Sequence, residues 1–360
     1  MRNSTRSFLK GKYGATYKLL HSLIAIAIVV TVLVSCGPEQ GNSEQGSSEE
    51  DAPPAAESGE ATQTEEEPAG EVVEIGGAPE GIVADPETGL VAVGLRDPDG
   101  LVLVDGSSGE VIRDVELPES PRHLSLAAPG GPVLVPAENS DALVQVSLPE
   151  GEVLDEIPVG TSPHDAAATP NGRIFVGNEY GDSVSVVEDG SETDRIENLL
   201  QPGGVATTND RLVGVVSVEE STLEVFDTGT LDSFGRVGAG EGPTHIVAGP
   251  ENRFYVTDTS GDAILVYEAL PEPEQVDNVS LPGSPYGIAI DPERGFLWVT
   301  TEDRLVQYAL EGGMLREIAR YPTVQEPYTV TVDTASGRVF VAGRAEGELQ
   351  ILDPNEAGAR

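Results

Sequence analysis

Residues 162–187 read SPHDAAATPNGRIFVGNEYGDSVSVV, and the same phrase keeps returning along the chain. APEGIVADPETGLVAVG begins at residue 78, SPRHLSLAAPGGPVLVP at 120, GPTHIVAGPENRFYVTD at 242 and SPYGIAIDPERGFLWVT at 284, with degenerate copies beginning at Gln201 and Glu326. The leading prolines are Pro79, Pro121, Pro163, Pro202, Pro243, Pro285 and Pro327, spaced by 42, 42, 39, 41, 42 and 42 residues. A near-constant period over seven copies marks a repeat architecture, in which one small unit buries its faces against the next.

Each copy reads as four short strands. In the first copy they cover 81–84, 90–94, 101–104 and 110–117, broken by the turn sequences DPETG, DPDG and DGSSG. No stretch of the repeat region carries a long 3.6-residue apolar period, which excludes helical solenoids. Four strands in about 40–45 residues predict a β-propeller blade, so the chain is expected to be all-β, a single seven-bladed β-propeller. The seventh copy supplies only three strands, the last at 347–353, whereas GEVVEIGG at 70–77 repeats the blade-ending phrase Gly109-Glu110-Val111 ahead of the first copy. This N-terminal segment is expected to close the last blade and remove two open sheet edges.

The blade phrases also carry a resemblance. Phe254-Tyr255-Val256-Thr257-Asp258, Leu297-Trp298-Val299-Thr300-Thr301 and Ile174-Phe175-Val176-Gly177-Asn178 resemble the YVTN repeat of seven-bladed propellers in surface-layer and periplasmic proteins, over residues 70–360. The likeness implies the fold and says little of activity, because propellers host many functions.

Before the repeats the composition changes twice. Residues 1–21 are basic and polar, 23–34 are almost continuously apolar, and Ser35-Cys36-Gly37 follows. Basic, then a dozen apolar residues, then small residues is the order of an export signal, too short for a stable membrane span. Leu33-Val34-Ser35-Cys36 resembles a bacterial lipobox, which implies lipid on Cys36, the chain's one cysteine. Residues 1–35 are thus expected to be a lipoprotein signal peptide. Residues 36–69, with no basic or aromatic residue, are expected to be a disordered acidic linker, and 70–360 the propeller. The expected location is the cell membrane, lipid-anchored, on the extracellular or periplasmic side.

Beyond Cys36 there are 15 arginines, no lysine and 62 acids, a formal charge of −47. That field repels nucleic acid and anionic lipid, which excludes DNA- and RNA-binding roles and leaves cations, basic proteins or a cell-surface polymer as partners of an expected monomer. The alternative is an acidic coat serving solubility alone.

The mature chain has three histidines, His123, His164 and His245, one or two places after a leading proline. Positions two after the prolines, among them His123, Asp165 and His245, are expected to ring one mouth of the channel. Nearby loops add Asp97, Asp99, Glu138, Glu179, Asp182, Glu219, Asp258, Asp262 and Glu302, so that mouth is expected to be electronegative. His123, His164, His245, Asp165, Glu179 and Asp258 are the candidate ligand-binding residues, and His123, His245 and Asp165 the candidates for a divalent cation. Strict strand alternation would turn His164 away from the other two, and His123 and His245 lie three blades apart. Virginiamycin B lyase is a similar propeller; the resemblance implies a base at such a mouth, with His245–Asp258 or His164–Glu179 as candidate pairs. The Trp-Phe-Thr-Glu blade phrase of that family is missing here, with LWVTTE at 297–302 closest to it. A binding or interaction module of unidentified ligand is therefore favoured over an enzyme.

The anchorage is testable directly. Cys36→Ser is expected to accumulate unprocessed precursor or to release soluble chain in a detergent-partition assay; a variant that matures and stays membrane-bound would refute lipidation.

Overall fold

The computed structural model describes residues 56, 58, 59, 66–208 and 211–356. Cys36 and the export segment lie outside them. Among the described residues twenty-eight strands make seven four-stranded antiparallel sheets. The innermost strands are Ala78–Ala84, Ser125–Leu126, Pro163–Ala168, Pro202–Thr207, Pro243–Gly249, Ile288–Asp291 and Pro327–Val332. We number the blades 1 to 7 in that order.

Within a blade the sequence pattern follows position. Second strands such as Val133–Ala137 and Ile174–Asn178 are buried at every residue, because both faces of the blade are covered by neighbours. Outer strands such as Val111–Glu116 are exposed except at one position, and their composition is correspondingly polar. The cores lie between blades. Phe340, Ala342, Leu349 and Ile351 of blade 7 pack with Val91, Val93, Val102 and Val104 of blade 1. Leu101 and Leu103 of blade 1 pack with Val133, Val135 and Val144 of blade 2. The remaining buried clusters among the described residues repeat this arrangement around the ring. No blade holds a core of its own, which is the physical reason the chain needs all of them.

The ring closes as the repeat predicts. Glu71–Glu74 pairs antiparallel with Glu348–Leu352, with Val72 opposite Gln350 and Val73 opposite Leu349. Buried Gln350 fixes the seam: its Nε2 donates to the carbonyls of Ala69 (2.7 Å) and Pro322 (3.0 Å), and its Oε1 accepts from the Val324 amide at 3.3 Å.

One local departure decides where the channel side chains go. The register between first and second strands shifts just after the leading proline in five blades: between Pro79 and Ile82, Pro163 and Asp165, Pro202 and Gly204, Pro243 and Ile246, and Pro327 and Val330. A bulge of this kind places two residues opposite one and breaks the alternation of faces. The strand also comes very close to its neighbour here. A Cβ on Gly287 would sit 2.6 Å from the Tyr328 carbonyl oxygen, and one on Gly81 would fall on the Arg122 carbonyl.

Deleting residues 70–76 would strip the pairing from Glu348–Leu352 and leave open edges. We expect the melting midpoint to fall by about 10 °C or more; a midpoint indistinguishable from that of the full chain in differential scanning calorimetry would refute the seam's role.

Candidate functional site

The residue directly after each leading proline varies around the ring, with tyrosine in both blades 6 and 7, and five of these side chains meet at the axis. Glu80 of blade 1 is fully buried. Arg122 Nη1 of blade 2 donates to its Oε1 at 2.9 Å, Arg344 Nη2 of blade 7 to its Oε2 at 3.1 Å, and Arg96 Nε lies 3.5 Å from Oε2. The Tyr328 hydroxyl sits 3.5 Å from the same carboxylate and 2.7 Å from the Tyr286 hydroxyl, and Arg344 stacks over the Tyr328 ring. Burial works against the Arg122 charge, but Glu80, Tyr328, Glu138 and Tyr286 together more than offset it, so its pKa lies above the ordinary value.

The histidines extend this network across the ring. His164 Nδ1 lies 2.7 Å from the Gly203 carbonyl, and its Nε2 lies 2.6 Å from Arg122 Nη2. A carbonyl only accepts and a guanidinium only donates, so His164 is a neutral imidazole protonated on Nδ1. Its ring stands 4.5 Å from that of His123, which in turn stands 4.2 Å from His245, and His245 meets Tyr286 edge-on at 4.5 Å. His123 and His245 bridge the channel through their Nε2 atoms, 2.9 Å apart. Their Nδ1 atoms are shut from water and without a hydrogen-bond partner. Burial, with Arg122 nearby, pushes the pKa of all three well below the usual imidazole range, that of His245 to about 3. Glu80, Arg122, His164, His123, His245, Tyr286 and Tyr328 thus plug the channel at the face where the leading prolines enter.

On the other side of the plug lies a cavity of about 370 Å³. Its lining begins at His123 and His245 and continues along aliphatic side chains of the innermost strands, such as Ile82, Leu124, Val205 and Ile288. Asp165 also lines it. Its oxygens accept from the Ala166 and Val205 amides, both at 2.8 Å, yet burial outweighs these bonds and lifts its pKa to about 7.

Several expectations from the sequence change. His164 does not turn away from His123, because the bulge after Pro163 cancels strict alternation. His123 and His245 do come from opposite sides of the ring, but the strands approach closely enough for the rings to touch. The mouth is no open ring of carboxylates either. Glu138 pairs with Arg96 at 2.9 Å, Asp182 accepts from the Gln201 amide, and Asp262 from the Gly283 and Ser284 amides. Asp258 is buried and accepts from the amides of Glu241, Gly242 and Gly261, while buried Glu179 accepts from Gln201 Nε2. These two candidates serve loop structure, whereas His123, His164 and His245 come together and Asp165 joins His123 and His245 along the cavity. Sequence reasoning missed Glu80, Arg122, Tyr286, Tyr328, Arg96 and Arg344. The signal for the first four was present as the variable residue after each proline. Among the described residues no group of three or more His, Cys, Asp or Glu is arranged to hold a metal ion.

Fold and plug together define a seven-bladed propeller with a closed axial mouth. Solved structures share the fold. Virginiamycin B lyase from Staphylococcus aureus matches with a TM-score of 0.64 at 14% identity, over 79% of this chain and 99% of that one. Kuenenia stuttgartiensis hydrazine synthase matches at 0.67 and 17%, over 76% and 95%. A chain of the mitotic checkpoint complex matches at 0.69 and 12%, over 82% and 96%. These likenesses show the architecture alone. No protein-family model and no curated protein matches the chain.

The buried titrations have opposite signs. His245 stays neutral when folded but takes a proton below pH ~6.5 when unfolded, so it removes stability as pH falls from 6.5 toward 3. Asp165 keeps its proton up to about pH 7 when folded but loses it near 3.8 when unfolded, so it removes stability as pH rises through that window. Relative to His245→Gln, the wild type is expected to be weaker at pH 5 than at pH 7 by about 1–2 kcal/mol in urea titrations. Relative to Asp165→Asn the trend should reverse; parallel pH profiles for all three proteins would contradict both assignments.

Proposed function

We propose that this chain is a YVTN-like lipoprotein, tethered through Cys36 on the outer side of the cell membrane, whose propeller is a binding module rather than an enzyme. One observation carries the reading. The histidines, the residues best suited to acid–base work, are neutral, enclosed and bonded to one another and to Arg122, while an apolar cavity stands beside them. Such an arrangement favours holding a molecule over turning it over. The surplus of acids after Cys36 supports the rest of the reading, since an acidic body repelled by anionic headgroups needs a covalent anchor to stay at a membrane.

Lyase activity and divalent-metal binding are the competing readings. Virginiamycin B lyase has been solved with quinupristin, which makes that compound the natural challenge. The pairs His245–Asp258 and His164–Glu179 would have to act there, yet Asp258 is occupied by three backbone amides and both ring nitrogens of His164 are bonded. Incubation with quinupristin, followed by chromatography, is expected to leave it unchanged. Titration with Zn²⁺, Cu²⁺ and Ca²⁺ is expected to give weak, salt-screened binding, identical in wild type and a His123→Ala/His245→Ala double variant. Turnover that depends on His245, or a metal isotherm lost in the double variant, would overturn the proposal in favour of the corresponding alternative.

A further inference from the structure

Among the described residues the lining of the channel cavity contains one acid, Asp165, and no arginine or lysine. Its two imidazoles, His123 and His245, are neutral. No ion pair engages Asp165: its contacts are the Ala166 and Val205 amides, both at 2.8 Å. A carboxylate offers about four acceptor positions, so two amides leave others open. The side chain also faces the chamber. At the same place in other blades stand Gly81, Gly204 and Gly287, all buried because the next blade covers the backbone there. Asp165 is partly exposed, so the added surface belongs to its side chain. Burial nevertheless lifts its pKa to about 7, which places that surface in the enclosed channel and away from the outer solvent.

The hydroxyls of that lining are already engaged. Ser125 Oγ donates to the Ala166 carbonyl, Thr207 Oγ1 to the Ala168 carbonyl and Thr329 Oγ1 to the Glu80 carbonyl, all at 2.6 Å. Thr331 Oγ1 accepts from the Ala84 amide at 3.1 Å. What remains is a mainly aliphatic chamber with one carboxyl that has no counter-charge. Folding has already taken this group out of bulk water, so an incoming cation gains the attraction of a poorly screened charge while losing only its own hydration. A hydrocarbon chain on the cation adds burial of apolar surface along the wall. An anion would meet a like charge there, and a bare inorganic cation would leave the aliphatic wall unused. The surplus of acids over the whole chain attracts cations to the protein in the first place.

We propose that the channel cavity binds a small aliphatic primary amine as its ammonium ion, with the charge on the Asp165 carboxylate and the chain along Ile82, Leu124, Val205 and Ile288. The proposal rests on the binding-module reading and names its ligand class. A volume of about 370 Å³ lies at the small end of ligand pockets and suits a compact molecule. The three N–H groups of an ammonium match the acceptor positions that the Ala166 and Val205 amides leave open. The plug closes one end of the channel, so entry is from the opposite face.

The test uses the intact chain in phosphatidylcholine nanodiscs, with empty nanodiscs as the blank, at pH 8 and about 0.15 M salt, which screens the acidic surface. Hexylammonium, 1-hexanol, hexanoate and the plain ammonium ion are the calorimetric probes. Hexylammonium is expected to bind with a dissociation constant of roughly 10 μM to 1 mM, and the other three at least about ten-fold more weakly. Asp165→Asn should weaken hexylammonium to the level of 1-hexanol and leave 1-hexanol itself unchanged, a selective loss that general damage to the fold would not produce. Ala167→Leu, which narrows the chamber and keeps the carboxyl, should weaken both probes while near-UV circular dichroism stays native. Equal binding of hexylammonium and 1-hexanol, equal binding of hexylammonium and plain ammonium, hexylammonium binding that survives Asp165→Asn, or no heat from hexylammonium would each overturn the proposal. None of these outcomes bears on membrane release by Cys36→Ser or on inertness toward quinupristin, so the amine site can fail while the binding-module reading stands.

Discussion

The buried carboxylate of Glu80 is the constraint around which the ring is organised. A carboxylate at 0% exposure has to be paired, and its partners arrive from three blades: Arg96 from its own, Arg122 from blade 2, and Arg344 and Tyr328 from blade 7. Removing Glu80 would leave Arg122 buried without its main counter-charge, at a cost of about 3–5 kcal/mol. Blade 7 is also the blade that needs Glu71–Glu74 for its fourth strand. The ring is thus fastened twice at one seam, by a strand at its rim and by an ion cluster at its axis.

That cluster exists because of a backbone irregularity. With ordinary alternation, every innermost strand would send one residue of each neighbouring pair toward the channel and the next away from it. The bulges after the leading prolines allow successive residues to serve the axis, so His164 joins His123 while Asp165 still reaches the cavity lining. Plug and cavity are two consequences of one local rule repeated around the ring. Bulges re-aim side chains near functional sites in other sheets by the same geometry.

The acidic surface and the buried site are separate matters. Loop carboxylates such as Asp182, Asp258 and Asp262 hold the turns that lead into the next blade, and their negative charge is in part a by-product of turn chemistry. Inside, the ion pairs lie in the plug, and the cavity beside it is mainly aliphatic, with the Asp165 carboxyl in its wall.

The repeat made the architecture legible without coordinates. Seven prolines at a near-constant spacing, four apolar runs per copy and the GEV phrase ahead of the first copy determine a seven-bladed ring with its last blade closed by the N-terminal strand, because period and turn residues are local properties. The sequence also marked His123, His164, His245 and Asp165, whose types stand out against small apolar neighbours. It did not show that three histidines from blades 2, 3 and 5 would touch, that Glu80 would gather arginines 42 and 264 residues away, or that Asp258 and Glu179 would serve loops instead of the axis. Those outcomes depend on how far each bulge rotates a side chain and on how closely the strands approach across the axis. Both are settled only when all seven blades close on one another.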